Sequence, residues 1–494
     1  MTTTLTSVAR IPFLREERDP VGPCLTDGER SLDNAAFAAA VRRLAARFEE
    51  LGVDPGDTVA VMLPNCAEII TTMFAAWFRG SALNPVNPAL TDEEAAYQLE
   101  DSASAVIVGD QRARALAESL GIAWVDADLV HGPGGPPVSL TEEPVAIGSD
   151  FALVIYTSGT TGRPKGVLLD HDNLDAMSAS LIAHFSLSPA DRSLLVLPLF
   201  HANGLIAGTL SVLRAGGDVV VAPRFSPETF WDHVEAARPT YFSAVPTIYA
   251  MLEARTEREV DTSSLRFVIC GAAPMPAELI TRFEERFGVP LVEGYGLSEC
   301  SVASNINPVA GPRKPGTVGV ALPGQEVAVL TPDGWELPPG HRGEVVIRGA
   351  NVMRGYLGKP EETAKVLRHG WLFTGDVGII DEDGYLRIVD RIKDMIIRGG
   401  ENIYPKEIED CLYGHPSILE AAVVGAPHDV LGEVPVAYVA TKPGLVVSED
   451  ELIAHCAAAL ARYKVPTEIH VLGELPKNSV GKLVKTHLRE RRAG

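Results

Sequence analysis

Cysteine is scarce in these 494 residues, with six in all, at Cys24, Cys66, Cys270, Cys300, Cys411 and Cys456. None forms a CxxC pair or joins a Cys/His cluster, which argues against a disulfide framework or a zinc site and suits a reducing compartment. Long apolar runs are missing too: no stretch of about 18 apolar residues is available to span a membrane. The start, MTTTLTSVARIPFLREERDP, lacks the apolar core of a signal peptide. Positive charge is in deficit, with 43 Lys and Arg against 65 Asp and Glu and a net charge of −22. General binding to nucleic acid or to an anionic membrane needs a basic face, so both are excluded, although local phosphate sites are not. The expectation is a cytoplasmic protein that handles small molecules.

What is present is the composition of an ordinary globular chain, 46% hydrophobic, too long for one core. Phe37, Val41, Leu44, Phe48 and Leu51 recur at steps of four and three, which predicts a helix over 31–51 stopped by Gly52. TVAVML at 58–63 reads as a strand, 68–80 as a helix, Thr91 with Glu94 as a capping box, and 105–108 as a strand. The alternation runs on through LLVLPL, DVVVAP, YFSAVP and FVICGA to Tyr295. It predicts an α/β fold of mostly parallel sheets with helices on both faces.

From 317 to 389 the texture changes to short β-rich runs, GEVVIRG and GYLRIVD, joined by PDG and DEDG turns. These predict an antiparallel sheet or small barrel. Residues 391–494 make a further, smaller α+β unit, with 13 Lys and Arg against 14 Asp and Glu and its cations bunched over 477–492. A phosphate-handling lid and a solvated helical tail both fit that charge pattern. The domains expected are therefore 1–390 and 391–494. HGPGGPP at 131–137 reads as an exposed loop.

The most informative stretch is FALVIYTSGTTGRPKGV at 151–167. An apolar strand ends at Tyr156 and runs into Thr157, Ser158, Gly159, Thr160, Thr161 and Gly162, then Lys165. Hydroxyls and glycines let backbone N–H groups converge on an anion, and the lysine adds a mobile positive charge. Pro164 precedes Lys165 where a Walker A loop needs glycine, so this is a different phosphate loop.

YTSGTTGRPKG resembles the signature loop of the adenylate-forming superfamily of acyl-CoA synthetases, adenylation domains and firefly luciferase. LPLFHANG, GAAP, EGYGLSE, WLFTGDV, DRIKDMIIRGGENIYP and PKNSVGKLVK follow in the family's order, from about 30 to 485. The resemblance implies a large N-terminal domain of stacked sheets and a mobile C-terminal lid. It also implies an ATP- and Mg²⁺-dependent carboxylate–CoA ligase that makes an acyl-adenylate and then a thioester. By that resemblance 157–165 hold the β- and γ-phosphates, and Thr161 and Glu299 orient Mg²⁺. Ser298 stands where the family more often has Thr. Gly271, Ala272 and Ala273 flank the adenine, together with Glu293, Gly294, Tyr295 and Gly296. Tyr295 stacks on the base, Asp376 accepts from the ribose hydroxyls, and Arg391 approaches ribose and phosphate. Lys482 reaches the bridging oxygen. The hinge spans 391–393 with Lys393 at its pivot. Gly399, Gly400 and Glu401 line a pantetheine channel, a hairpin turn being the alternative for the two glycines.

His201 matches the family's gate beside the carboxylate. Amino-acid-activating relatives carry an Asp near there, and His201-Ala202-Asn203-Gly204 has none. Malonate-type ligases place Arg before the Tyr of the YG motif, and Gly294 stands there instead. Gly204, Gly271, Gly294 and Gly296 suggest a pocket open to a bulky fatty, aryl or other acid, with Asn203, Ser301 and Ser304 as polar contacts. GLSEC misses the serine-hydrolase elbow because Cys300 replaces its last glycine. No GxGxxG follows a strand, against a dehydrogenase. A light-emitting oxygenase shares these motifs. The closer rival partner for the acyl group is an acyl carrier protein, whose phosphopantetheine carries the same thiol as coenzyme A.

Overall fold

The segment Ala67–Phe78 (AEIITTMFAAWF) has no polar face, and all twelve of its residues are buried. A helix apolar all round has to lie inside, and this one lies between two sheets. The computed structural model describes residues 8–28, 30–131, 150–157, 163–222, 225–273, 275–442, 444–477 and 483–490.

The first sheet has seven strands in the order Gly355–Tyr356, Lys165–Asp170, Phe151–Thr157, Ala82–Pro85, Thr58–Met62, Ser104–Gly109, Ala123–Asp126. It is parallel from Phe151–Thr157 onward and antiparallel at its Lys165–Asp170 and Gly355–Tyr356 edge. The second sheet has nine strands, six of them a parallel core that includes Phe267–Cys270 and Leu291–Tyr295. Alternation across a strand decides which layer each side chain joins. Phe267 and Ile269 enter the core shared by both sheets. Val268 and Cys270 enter an outer core beneath Phe230–Ala237, Pro246–Arg255 and Ala277–Phe287. The parallel sheets with helices on both faces predicted from the alternation are present.

The capping box at Thr91 and Glu94 forms as read. The first helix is shorter than its periodicity suggested. Arg30–Asp33 is an edge strand, and the helix begins at Asn34 because the Asp33 carboxylate accepts from Ala36 N at 2.7 Å. Of 131–137, only His131 lies among the described residues.

The β-rich stretch forms a third, antiparallel sheet in which Trp371–Ile380 pairs with Arg342–Gly349 on one side and with both Leu367–Arg368 and Leu386–Arg391 on the other. The path ends at Gln325–Leu330, so the barrel-like region takes the form of an open sheet. The smaller C-terminal domain has its own sheet, built on Ile418–His428 and Gly432–Thr441. Its own cores cover both faces of that sheet. Three described cations of its basic stretch are ion-paired: Lys477 meets Glu420 at 2.9 Å, Lys485 meets Glu409 at 2.7 Å and Arg489 meets Asp394 at 2.7 Å. No helix among the described residues is long and apolar enough to cross a membrane.

Candidate active site

Phe151–Thr157 and Lys165–Asp170 are antiparallel neighbours with Thr157 opposite Lys165, so the glycine- and threonine-rich segment connects two paired strands. Ser158, Gly159, Thr160, Thr161 and Gly162 lie outside the described residues, and so does Lys482. The base of the hairpin is well anchored. Tyr156 Oη donates to Asp101 Oδ2 at 2.8 Å, and Tyr97 Oη to Pro164 O at 3.2 Å.

The short strand Gly355–Tyr356 pairs with Lys165–Asp170, setting Tyr356 opposite Val167. Lys165 Nζ thereby stands 5.1 Å from the Tyr356 ring centroid and 2.7 Å from Glu362 Oε2. Tyr356 Oη donates to Glu299 Oε1 at 2.8 Å. One tyrosine thus joins the loop lysine to the carboxylate of the EGYGLSE segment. Neither Tyr356 nor Glu362 was singled out from the sequence. Among the described residues no group of three or more His, Cys, Asp or Glu side chains forms a metal cage. A single carboxylate steadied from one side, as Glu299 is, fits Mg²⁺, which takes one or two protein oxygens and keeps the rest for water and phosphate.

A second chain of contacts runs through Asp376. Asp376 is 3% exposed; its Oδ2 accepts from Tyr295 Oη at 2.6 Å and its Oδ1 faces Arg391 Nε at 2.8 Å. Asp376 and Arg391 are register partners in the third sheet. The turn before Asp376 needs Gly375 at φ +72°, a conformation that favours glycine, and Glu344 Oε1 holds that residue's N–H at 3.0 Å. Burial pushes the Tyr295 hydroxyl well above the usual phenol range, and the Asp376 charge pushes it further, so it stays a donor. Burial raises the Tyr356 hydroxyl, the Glu299 charge raises it further, and the Arg391 charge pulls the other way.

Glu293 is 5% exposed: Oε1 accepts from Met275 N at 2.9 Å while Oε2 has no partner among the described residues. Burial raises its carboxyl to about 7 against the opposing pull of the Met275 amide and Lys406. Ala272 sits at φ +68°, a strained position for a residue with a side chain, in the segment that turns from strand Phe267–Cys270 toward the cleft. Ser298 opens the short 3₁₀ turn Ser298–Cys300 that carries Glu299. At the domain junction Lys393 lies in the turn Ile392–Asp394, where burial and then Arg391 hold its ammonium below the usual lysine range. Gly399 and Gly400, at φ +59° and +91°, are the two central residues of a hairpin between Ile396–Arg398 and Glu401–Ile403, with Glu401 opposite Arg398. The turn reading of these glycines therefore holds, whatever else they do.

The acid pocket corrects the glycine reading. A Cβ on Gly204 would lie 2.5 Å from Pro198 O, and one on Gly296 would overlap Val302 O and Ala303 Cα. One on Gly294 would meet Ile306 Cγ1 at 3.0 Å. These three glycines make room for the protein's own packing. Gly271 alone of the four leaves space, its nearest neighbour being Asn203 Nδ2 at 3.6 Å from the Cβ position. Ser301 and Ser304 are not pocket contacts either: both are fully buried, donating to Asn351 O at 2.6 Å and Asn305 Oδ1 at 2.9 Å. Asn203 remains, at the start of the π-helix Asn203–Leu210, with its buried Oδ1 unpartnered among the described residues. His201 Nε2 is buried and unpartnered among the described residues too, and burial pulls the imidazole down to about 4, so it is neutral near pH 7.

Residues 15–357 match the family model of the AMP-binding enzymes and residues 407–482 that of the AMP-binding enzyme C-terminal domain. Feruloyl-CoA synthase from an Amycolatopsis species is 38% identical over 97% of this chain and 98% of its own. Among solved structures, ATP-bound MatB from Rhodopseudomonas palustris superposes with a TM-score of 0.91 at 31% identity, covering 98% of this chain and 99% of that one. The apo form of MatB gives 0.81 at 32% identity and 98% coverage of both chains. The o-succinylbenzoate coenzyme A synthetase of Bacillus subtilis, in complex with ATP and magnesium ion, gives 0.87 at 32% identity, covering 98% of this chain and 99% of that one. The chain belongs to the AMP-binding enzymes, and it is an AMP-forming acid–thiol ligase that uses ATP, Mg²⁺ and coenzyme A.

Proposed function

We propose that this enzyme activates a bulky carboxylic acid, aryl before aliphatic, in the cleft between its two domains and passes the acyl group to coenzyme A. The observation that carries the reading is the continuous run of side chains from Lys165 through Tyr356 to Glu299, beside Tyr295–Asp376–Arg391. Two anions must meet there, so the site has to supply positive charge and alignment. A carboxylate oxygen of the acid attacks the α-phosphorus of ATP, an O–P bond forms, the α–β bridge breaks, and pyrophosphate leaves. Lys165 and the 157–162 hydroxyls and amides hold the β- and γ-phosphates, and Ser298 donates to the α-phosphate. Asp376 fixes the ribose, with Tyr295 and Arg391 holding its carboxylate, and Lys482 neutralises the bridging oxygen. Thr161 and Glu299 would hold Mg²⁺, which supplies further positive charge to the triphosphate.

In the second step the CoA sulfur attacks the acyl carbon, a C–S bond forms, the bond to phosphate breaks, and AMP leaves as the thiol proton is lost. For this Lys482 has to withdraw, which the hinge at 391–393 permits by turning the C-terminal domain. The hairpin of Gly399 and Gly400 then lines the pantetheine path. The closer match to the nucleotide-bound than to the apo form of one relative supports reading the present arrangement as the adenylating one.

For the acid, the neutral His201, the unpartnered Asn203 Oδ1 and the absence of an arginine at Gly294 favour an uncharged tail with a hydrogen-bond donor. The relative named for ferulate, a hydroxylated aryl acid, supports that class. All six cysteines are free thiols, which suits the cytoplasm. A pyrophosphate-release screen across aliphatic, aryl and polycyclic acids tests the reading, run alone, with CoA, and with a holo-carrier protein. Aryl acids should give the highest kcat/KM, with thioester on CoA. Turnover restricted to dicarboxylates, or thioester on the carrier only, would reject it.

A further inference from the structure

We propose that Glu362 is a built-in competitor of the nucleotide's polyphosphate for the Lys165 ammonium, so that ATP binds and pyrophosphate leaves by exchanging one anion for another. The proposal rests on the reading of Lys165 as a phosphate ligand. Lys165 and Glu362 are 197 positions apart in the chain, and their side chains keep 14% and 31% of their exposure, with Nζ and Oε2 2.7 Å apart. The pairing is built by backbone, since Leu357 N donates to Gly166 O at 2.8 Å beside the Tyr356–Val167 register pair. Tyr356 N donates to Thr363 Oγ1 at 2.9 Å, which pins the helix Pro360–Val366 that carries Glu362. The other carboxylate oxygen of Glu362 takes Lys365. Lys165 first and Lys365 next draw the Glu362 carboxyl down to about 2, so it is an anion throughout the working pH range.

An ammonium is a compact point charge on a flexible stem. When it turns to a phosphate it gives up Glu362, and when pyrophosphate departs Glu362 is waiting to take it back. A partly exposed pair is weak enough for that exchange to be easy. The cost falls on any ligand that carries β- and γ-type phosphates, and AMP carries none.

Equilibrium binding of ATP, pyrophosphate and AMP to the full-length enzyme tests this, with wild type, Glu362→Gln, Glu362→Ala and Lys165→Ala compared. Both Glu362 variants should bind ATP and pyrophosphate about 2- to 5-fold more tightly with AMP unchanged. Adding Glu362→Gln to Lys165→Ala should gain nothing. Unchanged or weaker ATP binding by both Glu362 variants, with Lys165→Ala still impaired, would overturn the exchange and leave Lys165 as a phosphate ligand. ATP binding untouched by Lys165→Ala would overturn the phosphate reading itself. Equal tightening for AMP would mean a general charge effect and would also reject the exchange.

Discussion

Glu293 is a buried carboxyl whose chemistry departs from what its type suggests. Its carboxyl is raised from 4.5 to about 7 by burial, so between those values the folded state holds a proton that the unfolded chain releases. Its contribution is fully present below about 4.5 and is lost as pH rises through about 7. Glu293→Gln keeps an acceptor for Met275 N and cannot ionise. It should raise stability at pH 8 by about 2–3 kcal/mol and flatten the pH dependence of denaturant unfolding between 5 and 7. A profile parallel to wild type would contradict it. His201 is shifted the other way, from 6.5 to about 4. The KM for the acid should therefore not change between pH 8 and pH 5.5 on its account. A rise in KM following a group near 6.5 would show an imidazole more solvated than its burial allows.

At the scale of the element, the inner helix Ala67–Phe78 bears the two-sheet architecture. Trp77 is fully buried, stacks edge-on against Phe74 and His171, and donates from Nε1 to Ala152 O at 2.8 Å. Trp77→Ala should cost about 3–5 kcal/mol, read as a fall in Tm or denaturant midpoint. The hairpin at Gly399 and Gly400 gives a sharper contrast. A side chain at Gly400 meets nothing within 4 Å but has to adopt φ +91°. Gly400→Ala and Gly400→Leu should both lose about 1–2 kcal/mol of stability. Only the leucine should abolish thioester formation while pyrophosphate exchange continues; equal CoA turnover in both variants would remove the channel.

Elements made from local periodicity were legible in the sequence: the helix through Phe37 and Phe48, the strand at 58–62, and the capping box at Thr91. So were the motifs that carry Asp376 and Glu299, because each is a contiguous string. Tyr356 and Glu362 were not, since Tyr356 reaches Lys165 through a two-residue strand and Glu362 from the helix Pro360–Val366, 197 positions along the chain from the lysine, and no periodicity announces such a pairing. Gly204, Gly294 and Gly296 were misread for a related reason. Glycine signals a close approach without saying of what, and here the close partner is the protein's own backbone or core. Ser301 and Ser304 are polar residues near a motif whose hydroxyls had already been taken up by buried carbonyl oxygens.

At the scale of the whole molecule, the C-terminal domain has cores of its own. Asp390 accepts from the N–H groups of both Arg391 and Lys406, at 2.7 and 2.8 Å, on the edge of the turn Ile392–Asp394. Beyond it, Lys485 and Arg489 tie the helix Lys485–Glu490 to Glu409 and Asp394. The helix Lys485–Glu490 is thus fastened to its own domain.

The decisive measurement separates the two half-reactions in Lys482→Ala, with pyrophosphate release from ATP and acid in one assay and CoA-dependent breakdown of presynthesised acyl-adenylate in the other. The first should fall by several orders of magnitude while the second stays near the wild-type rate. Loss of both to the same degree, or of neither, would contradict a lysine that enters for adenylation and withdraws for thiolysis.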